Sequence, residues 1–176
     1  MKNICLLLLL IGAFLSACDG DEPEVQYISE VSILKNDTLW ENTSVIAGLA
    51  KDCDVPEIGL SIGKVNDSKG LLEKINVSYI PNTEGIFKLV RSGAVCNDSL
   101  AEASFGVLLG GDVGGVIGRV APNEDSWIEI TRYDTLKQEL WGKINVVFDL
   151  SGKSTIHFTG GEFHVSVLPD TRAQPD

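Results

Sequence analysis

Two histidines are all that this chain of 176 residues contains, and its four cysteines form no C-x-x-C pair. A protein-bound metal needs three or four such ligands at short, characteristic spacings. No metal and no cofactor is therefore expected. Positive charge is also scarce, with 14 Lys and Arg against 25 Asp and Glu and a net charge of −11. A field of that sign repels phosphates and anionic lipid headgroups, which excludes nucleic acid as a partner. Neither glycine pattern that cradles a phosphate, G-x-G-x-x-G or G-x-x-x-x-G-K-[ST], occurs. No apolar run reaches the ~20 residues that a membrane-spanning helix needs.

The longest apolar run opens the chain. Met1-Lys2-Asn3 carries one positive charge, and Ile4 to Leu15 is a stretch of secretory length that ends in Leu15-Ser16-Ala17-Cys18. These four residues resemble the lipobox of bacterial lipoproteins. The resemblance implies that residues 1–17 are removed, that a diacylglycerol joins the Cys18 thiol, and that the new amino group is acylated. One acyl chain holds a protein marginally at a membrane and two or more hold it stably. An ordinary secreted protein with a chance cysteine is the alternative. Residues 18–25 include Asp19-Gly20-Asp21-Glu22-Pro23-Glu24. This tether resembles the acidic run that exports lipoproteins to the outer surface in Bacteroidota, whereas in enterobacteria an aspartate after the cysteine implies retention at the inner membrane. The expected address is the outer membrane, lipid-anchored and exposed at the cell surface. Anchoring at the inner membrane or facing the periplasm is the alternative.

Residues 26–168 read as a single β-domain and 169–176 as a frayed tail. Short runs rich in Val, Ile, Phe and Thr recur about every ten residues, separated by Gly, Asn, Asp, Pro and Ser. They are 26–34, 43–49, 58–65, 75–80, 85–90, 103–109, 116–120, 127–133, 140–150 and 155–167. The pattern predicts an all-β fold, an antiparallel sandwich or barrel of about eight to ten short strands. Ser68 to Asn76 is a candidate helix, and Ser99 to Ala103 a candidate helical turn. In the segment Leu140 to Asp149, Leu140, Ile144, Val146 and Phe148 share one face, while Trp141, Lys143, Asn145 and Asp149 share the other. Gly160-Gly161 predicts a bulge, after which Phe163, Val165 and Val167 continue the inward side.

Three of these segments carry a second resemblance: Trp127-Ile128-Glu129-Ile130-Thr131-Arg132-Tyr133-Asp134, Trp141-Gly142-Lys143-Ile144-Asn145-Val146-Val147-Phe148, and Ile156-His157-Phe158-Thr159-Gly160-Gly161-Glu162-Phe163. They are similar to the closing strands of a set of small Bacteroidota lipoproteins of unknown function. Their pattern runs I-x-I-T-x-Y-D, x-G-x-F-x-F, I-x-I-T-x-G-x-F. Ile144 stands where that pattern prefers an aromatic, and Gly160 where it prefers Asp or Asn. The family carries no agreed activity, so the resemblance implies no catalytic residues.

Candidate chemistry is sparse. Gly59-Leu60-Ser61-Ile62-Gly63 matches G-x-S-x-G, and His157 and His164 follow in hydrolase order. A nucleophile elbow needs a helix after the serine. Here Lys64 to Gly70 is turn chemistry, so the run reads as a strand with Leu60 and Ile62 buried. Both histidines alternate with inward apolar residues and should face outward. Gly106, Gly110, Gly111, Gly114, Gly115 and Gly118 read as two strands joined by a turn at 111–114, with a mobile binding loop as the alternative. Trp127, Tyr133 and Trp141 are expected opposite the core as an aromatic binding face for a glycan or an envelope protein complex, unless both faces are buried. Thr38, Ser99 and Thr135 sit in Asp-Ser/Thr-Leu triplets that resemble the O-glycosylation signal of Bacteroides-type bacteria. The expected role is non-enzymatic, either binding or accessory structural. A lipocalin-like carrier of a small apolar ligand is the runner-up, and a cell-envelope hydrolase has least support.

Cys53 and Cys96 lie among polar turn residues, and outside the cytoplasm they can form a disulfide. Closing that loop would stabilise the fold by about 4 kcal/mol in the chain-entropy model. Two free thiols far apart are the alternative. Titration of denatured, unreduced mature protein with a thiol reagent should find neither thiol reactive, and two reactive thiols would rule the pairing out.

Overall fold

The computed structural model describes residues 27–41, 43–50, 56–66, 71–91, 93, 99–109, 117–150 and 154–169. These residues form strands and turns and no helix. The strands are β1 (Ser29–Lys35), β2 (Thr38–Leu39), β3 (Thr43–Ala50), β4 (Glu57–Asn66), β5 (Leu71–Pro81) and β6 (Gly85–Arg91). They continue with β7 (Leu100–Leu109), β8 (Ile117–Val120), β9 (Trp127–Asp134), β10 (Glu139–Asp149) and β11 (Thr155–Leu168). Each run expected from alternation contains a strand within its described residues. The candidate helix is not one: its described part, from Leu71 on, belongs to β5, which pairs with β4 on one edge and β7 on the other. Ladder bonds on both edges override the local helical spacing of the leucines. Ser99 lies in a turn and Leu100 to Ala103 begins β7, so the expected helical turn is also strand.

Eight of the strands close into a barrel in the order β3, β4, β5, β7, β6, β9, β10, β11. The ring is completed by a short parallel ladder, Val167 to Ala47 and Leu168 to Gly48. β1 lies beside β11 where β3 does not reach, pairing from Ser29 opposite Val165 to Lys35 opposite Phe158. β8 bridges β7 and β10. The pairing is mixed rather than purely antiparallel, because β6 and β7 also run parallel. Lys88 lies opposite Leu100 and Arg91 opposite Ala103, so the chain doubles back between the two strands.

The inner face takes one residue in two from each strand. Leu140, Ile144, Val146 and Phe148 of β10 are buried, as are Ile58, Leu60 and Ile62 of β4. Trp40, Phe105, Phe148 and Phe158 form an aromatic cluster inside, with ring centroids 4.9 Å (Trp40 to Phe158), 5.4 Å (Phe105 to Phe158) and 5.8 Å (Phe105 to Phe148) apart. An eight-strand barrel is just wide enough for side chains to fill, and these rings pack inside it with the buried aliphatic residues. Beside them Lys35 Nζ lies 2.7 Å from both carboxylate oxygens of Glu73. Trp40 Nε1 donates to Glu73 Oε2 at 3.0 Å, so the indole N–H is satisfied within the apolar cluster.

Bulges in β5, β9 and β11 keep the alternation in phase with the core. In β11 Gly161 faces Ile144 while Phe158 faces Val146, one residue more than β10 spends. Gly160 absorbs the extra residue at φ +59°, a left-handed conformation that favours glycine. Phe158 and Phe163 thus both point inward and both are buried. In β9 Arg132 faces Trp141 and Ile130 faces Gly142, so Thr131 is the extra residue. The aromatic core predicts that Phe148→Ala, at a side chain with no exposed surface, costs about 3–5 kcal/mol, as read by chemical denaturation.

Candidate functional site

The outer wall of β3, β4 and β5 is poor in side chains. Ile46, Ser61, Asn76 and Ser104 form one row across β3, β4, β5 and β7, and Gly48 faces Gly59 in the next. The result is a groove of about 370 Å³, lined by these glycines with Ser61, Asn76 and Ser78 and walled by Ile46, Leu49, Leu168 and Pro169. Among the described residues its lining includes no ionisable side chain, although 22 % of the chain is charged. Ser61 Oγ donates to Asn76 Oδ1 at 3.1 Å. The G-x-S-x-G serine therefore sits mid-strand beside an amide, and both histidines belong to β11, with β3 between it and β4.

Neither groove glycine is demanded by the backbone. A Cβ built on Gly48 would come no closer than 3.8 Å to another atom, and one on Gly59 no closer than 3.9 Å. Glycine in a strand interior costs stability because it loses more chain entropy and packs nothing. What the pair provides is an open floor of bare peptide. Gly142 contrasts with both, because a Cβ there would collide with the Glu129 carbonyl oxygen and the Phe163 ring.

The expected aromatic face is not continuous. Tyr133 pairs with buried Leu140 and packs on the core. The extra residue at Thr131 has moved Tyr133 to the inner side and put Arg132 on the outer one. Burial raises the Tyr133 phenol above its usual pKa. Trp127 pairs with Asn145, and Trp141 with Arg132, separated by the pair Glu129 and Lys143. Trp141 is sandwiched edge-up, with the Arg132 guanidinium 4.5 Å from its ring centre and the His164 imidazole stacked on it at 4.3 Å and 15°. Since β9 and β11 flank β10, these neighbours cover opposite faces of the indole and leave only an edge for a ligand. His164 is itself placed between carboxylates, with Nε2 3.2 Å from Glu139 and Nδ1 3.5 Å from Glu30. His157 is exposed, as expected.

Thr38, Ser99 and Thr135 are all exposed. Thr135 lies in a tight turn in which the Asp134 carboxylate accepts from the backbone N–H of Lys137 and Leu136, at 3.1 and 3.2 Å. The Lys137 bond above all, then the Leu136 bond and Arg132, holds that carboxyl below its ordinary value of 3.8. Its contribution to the turn is present above that ordinary value and lost as pH falls through the lowered one. Among the described residues no group of three or more His, Cys, Asp and Glu is placed to hold a metal. Cys18, Cys53, Cys96 and the turn at 111–114 lie outside the described residues.

No protein-family model, curated protein or solved structure matches this chain. The groove was not legible in the sequence, because it consists of side chains that are missing from strands brought together only by register. Gly59→Ala should leave the fold intact and raise stability by about 0.5–1 kcal/mol, as a higher denaturation midpoint. Half-buried Trp141 predicts a loss on Trp141→Ala below the 3–5 kcal/mol typical of a buried aromatic. An equal loss to that of Phe148→Ala would mean that the outer face is as closed as the inner one.

Proposed function

We propose that this chain is a lipid-anchored domain of the bacterial cell envelope, displayed at the outer membrane, that binds a glycan or an envelope protein on the outside of its barrel and catalyses no reaction. The observation that carries the binding reading is the contrast between inside and outside. Phe105, Phe148, Phe158 and Trp40 pack the lumen, while a groove of about 370 Å³ opens on the wall, within the size range of small-ligand sites. The engagement of Ser61 by Asn76 speaks against a serine hydrolase. The lipobox ending in Cys18 and the acidic residues after it support the address, and the closing strands support kinship with small Bacteroidota lipoproteins. Exposure of Thr38, Ser99 and Thr135 is consistent with O-glycosylation at those sites.

A second reading, a carrier of small apolar molecules, is compatible with the barrel fold itself. Ligand-induced thermal shifts in wild type and in Gly59→Val separate the two. A neutral saccharide or peptide that stabilises wild type and fails to stabilise Gly59→Val supports the wall. A fatty acid that stabilises both proteins equally, and changes Trp40 fluorescence, would move the site into the lumen.

A further inference from the structure

We propose that the end of the barrel bearing the β9–β10 turn rests on the lipid bilayer, with Leu136 among the headgroups; this inference depends on the anchored reading of Cys18. The described chain begins at that end. The Ile28 carbonyl accepts from Ser166 N–H at 2.9 Å on one edge of β11, and the Gln138 carbonyl accepts from Val167 N–H at 2.7 Å on the other. Tyr27 and the turn at 135–138 therefore flank the same end of β11, about 10 Å apart at ~4.8 Å per strand spacing.

Exposed apolar residues alone do not choose between the ends. Leu136 is 96 % exposed and Tyr27 65 % here, but Leu39 and Ile117 are exposed at the other end. The length of the tether chooses. Cys18 and Tyr27 are nine positions apart, and at ~3.4 Å per residue their separation cannot exceed about 30 Å. β11 has 14 residues, about 45 Å of strand, which at a barrel tilt of 35–45° gives a height of roughly 35 Å. A chain that must leave the bilayer and still climb that height cannot let the far end touch the lipid. The near end needs no such reach.

The turn suits the task. Asp134 pins it through two backbone bonds, so Leu136 projects at little further entropic cost on contact. Lys137 follows it and is exposed, where its stem can lie along apolar surface and its ammonium stay in water. A single leucine holds a free protein at a membrane only weakly. Once acyl chains fix the domain there, contact is intramolecular and a weak interface suffices. The net charge of −11, which becomes 13 − 25 = −12 once residues 1–17 and with them Lys2 are removed, selects a zwitterionic surface over an anionic one.

The test uses the full chain expressed in a bacterium that acylates it, with a photo-crosslinking diazirine amino acid at position 136 or, separately, at position 37 in the far-end turn. The protein is reconstituted into phosphatidylethanolamine and phosphatidylcholine vesicles, irradiated and weighed intact. Lipid adducts at position 136 and none at position 37 are expected. Acylated protein with no adduct at 136, or with equal adducts at both positions, overturns this inference alone. Intact mass without acyl chains on Cys18 overturns the anchored reading, and this inference with it.

Discussion

Closure of the sheet is the constraint on which the rest of this molecule depends. An open sheet leaves a row of unpaired N–H and C=O groups at each edge, and only a ring removes both. Here the ring closes over two residue pairs, Val167 with Ala47 and Leu168 with Gly48. A third junction is made by a side chain. Ser29 Oγ accepts from the Val45 N–H at 3.1 Å and donates to the Val45 carbonyl at 2.8 Å, so one hydroxyl does what a neighbouring backbone would have done. The rest of the ring is long antiparallel ladder together with the shorter parallel pairing of β6 and β7. The narrow seam therefore fixes where β1, β3 and β11 meet, and with them the placement of the first and last described residues at one end.

Closure also separates two surfaces with opposite chemistry. The inside is apolar and aromatic, and it holds the ion pair of Lys35 with Glu73, which retains about a fifth of its side-chain exposure. The outside of β9, β10 and β11 presents Glu129, Arg132, Lys143, Glu162 and His164 in register. A barrel that crosses a bilayer needs the reverse, an apolar band outward and polar groups in the lumen. This barrel has the opposite arrangement, with apolar side chains inward and charged ones outward on these three strands.

Much of this was legible in the sequence because alternation is a local property. The inward set of β10, the bulge at Gly160 and the outward histidines all follow from a period of two within one strand. Other features depend on which strands become neighbours. The parallel return of β7 beside β6, the seam at Ser29 and the open floor at Gly48 and Gly59 involve residues far apart in the chain. Gly59 drew attention only through a serine motif, whereas its structural meaning is the space opposite Gly48. The Leu71 to Ile75 segment has helical spacing, and only the ladders with Ile62 and Phe105 on either side of Ile75 make it a strand.

The bulge at Thr131 shows how little it takes to change a surface. A straight β9 would have kept Tyr133 on the side of Trp127, beside Trp141, as three aromatics in reach of solvent. One extra residue shifts the phase, because the side-chain period of a strand is two. Tyr133 then packs on the core, and the position against the indole passes to Arg132. A guanidinium over an indole is a favourable neighbour, and with His164 on the opposite face it occupies the surface on which a sugar ring would have stacked. The groove of β3, β4 and β5 has no such aromatic and cationic stack among its described lining residues. Its polar groups, Asn76 and Ser78 among them, lie beside bare backbone, while the indole is already held by its own protein.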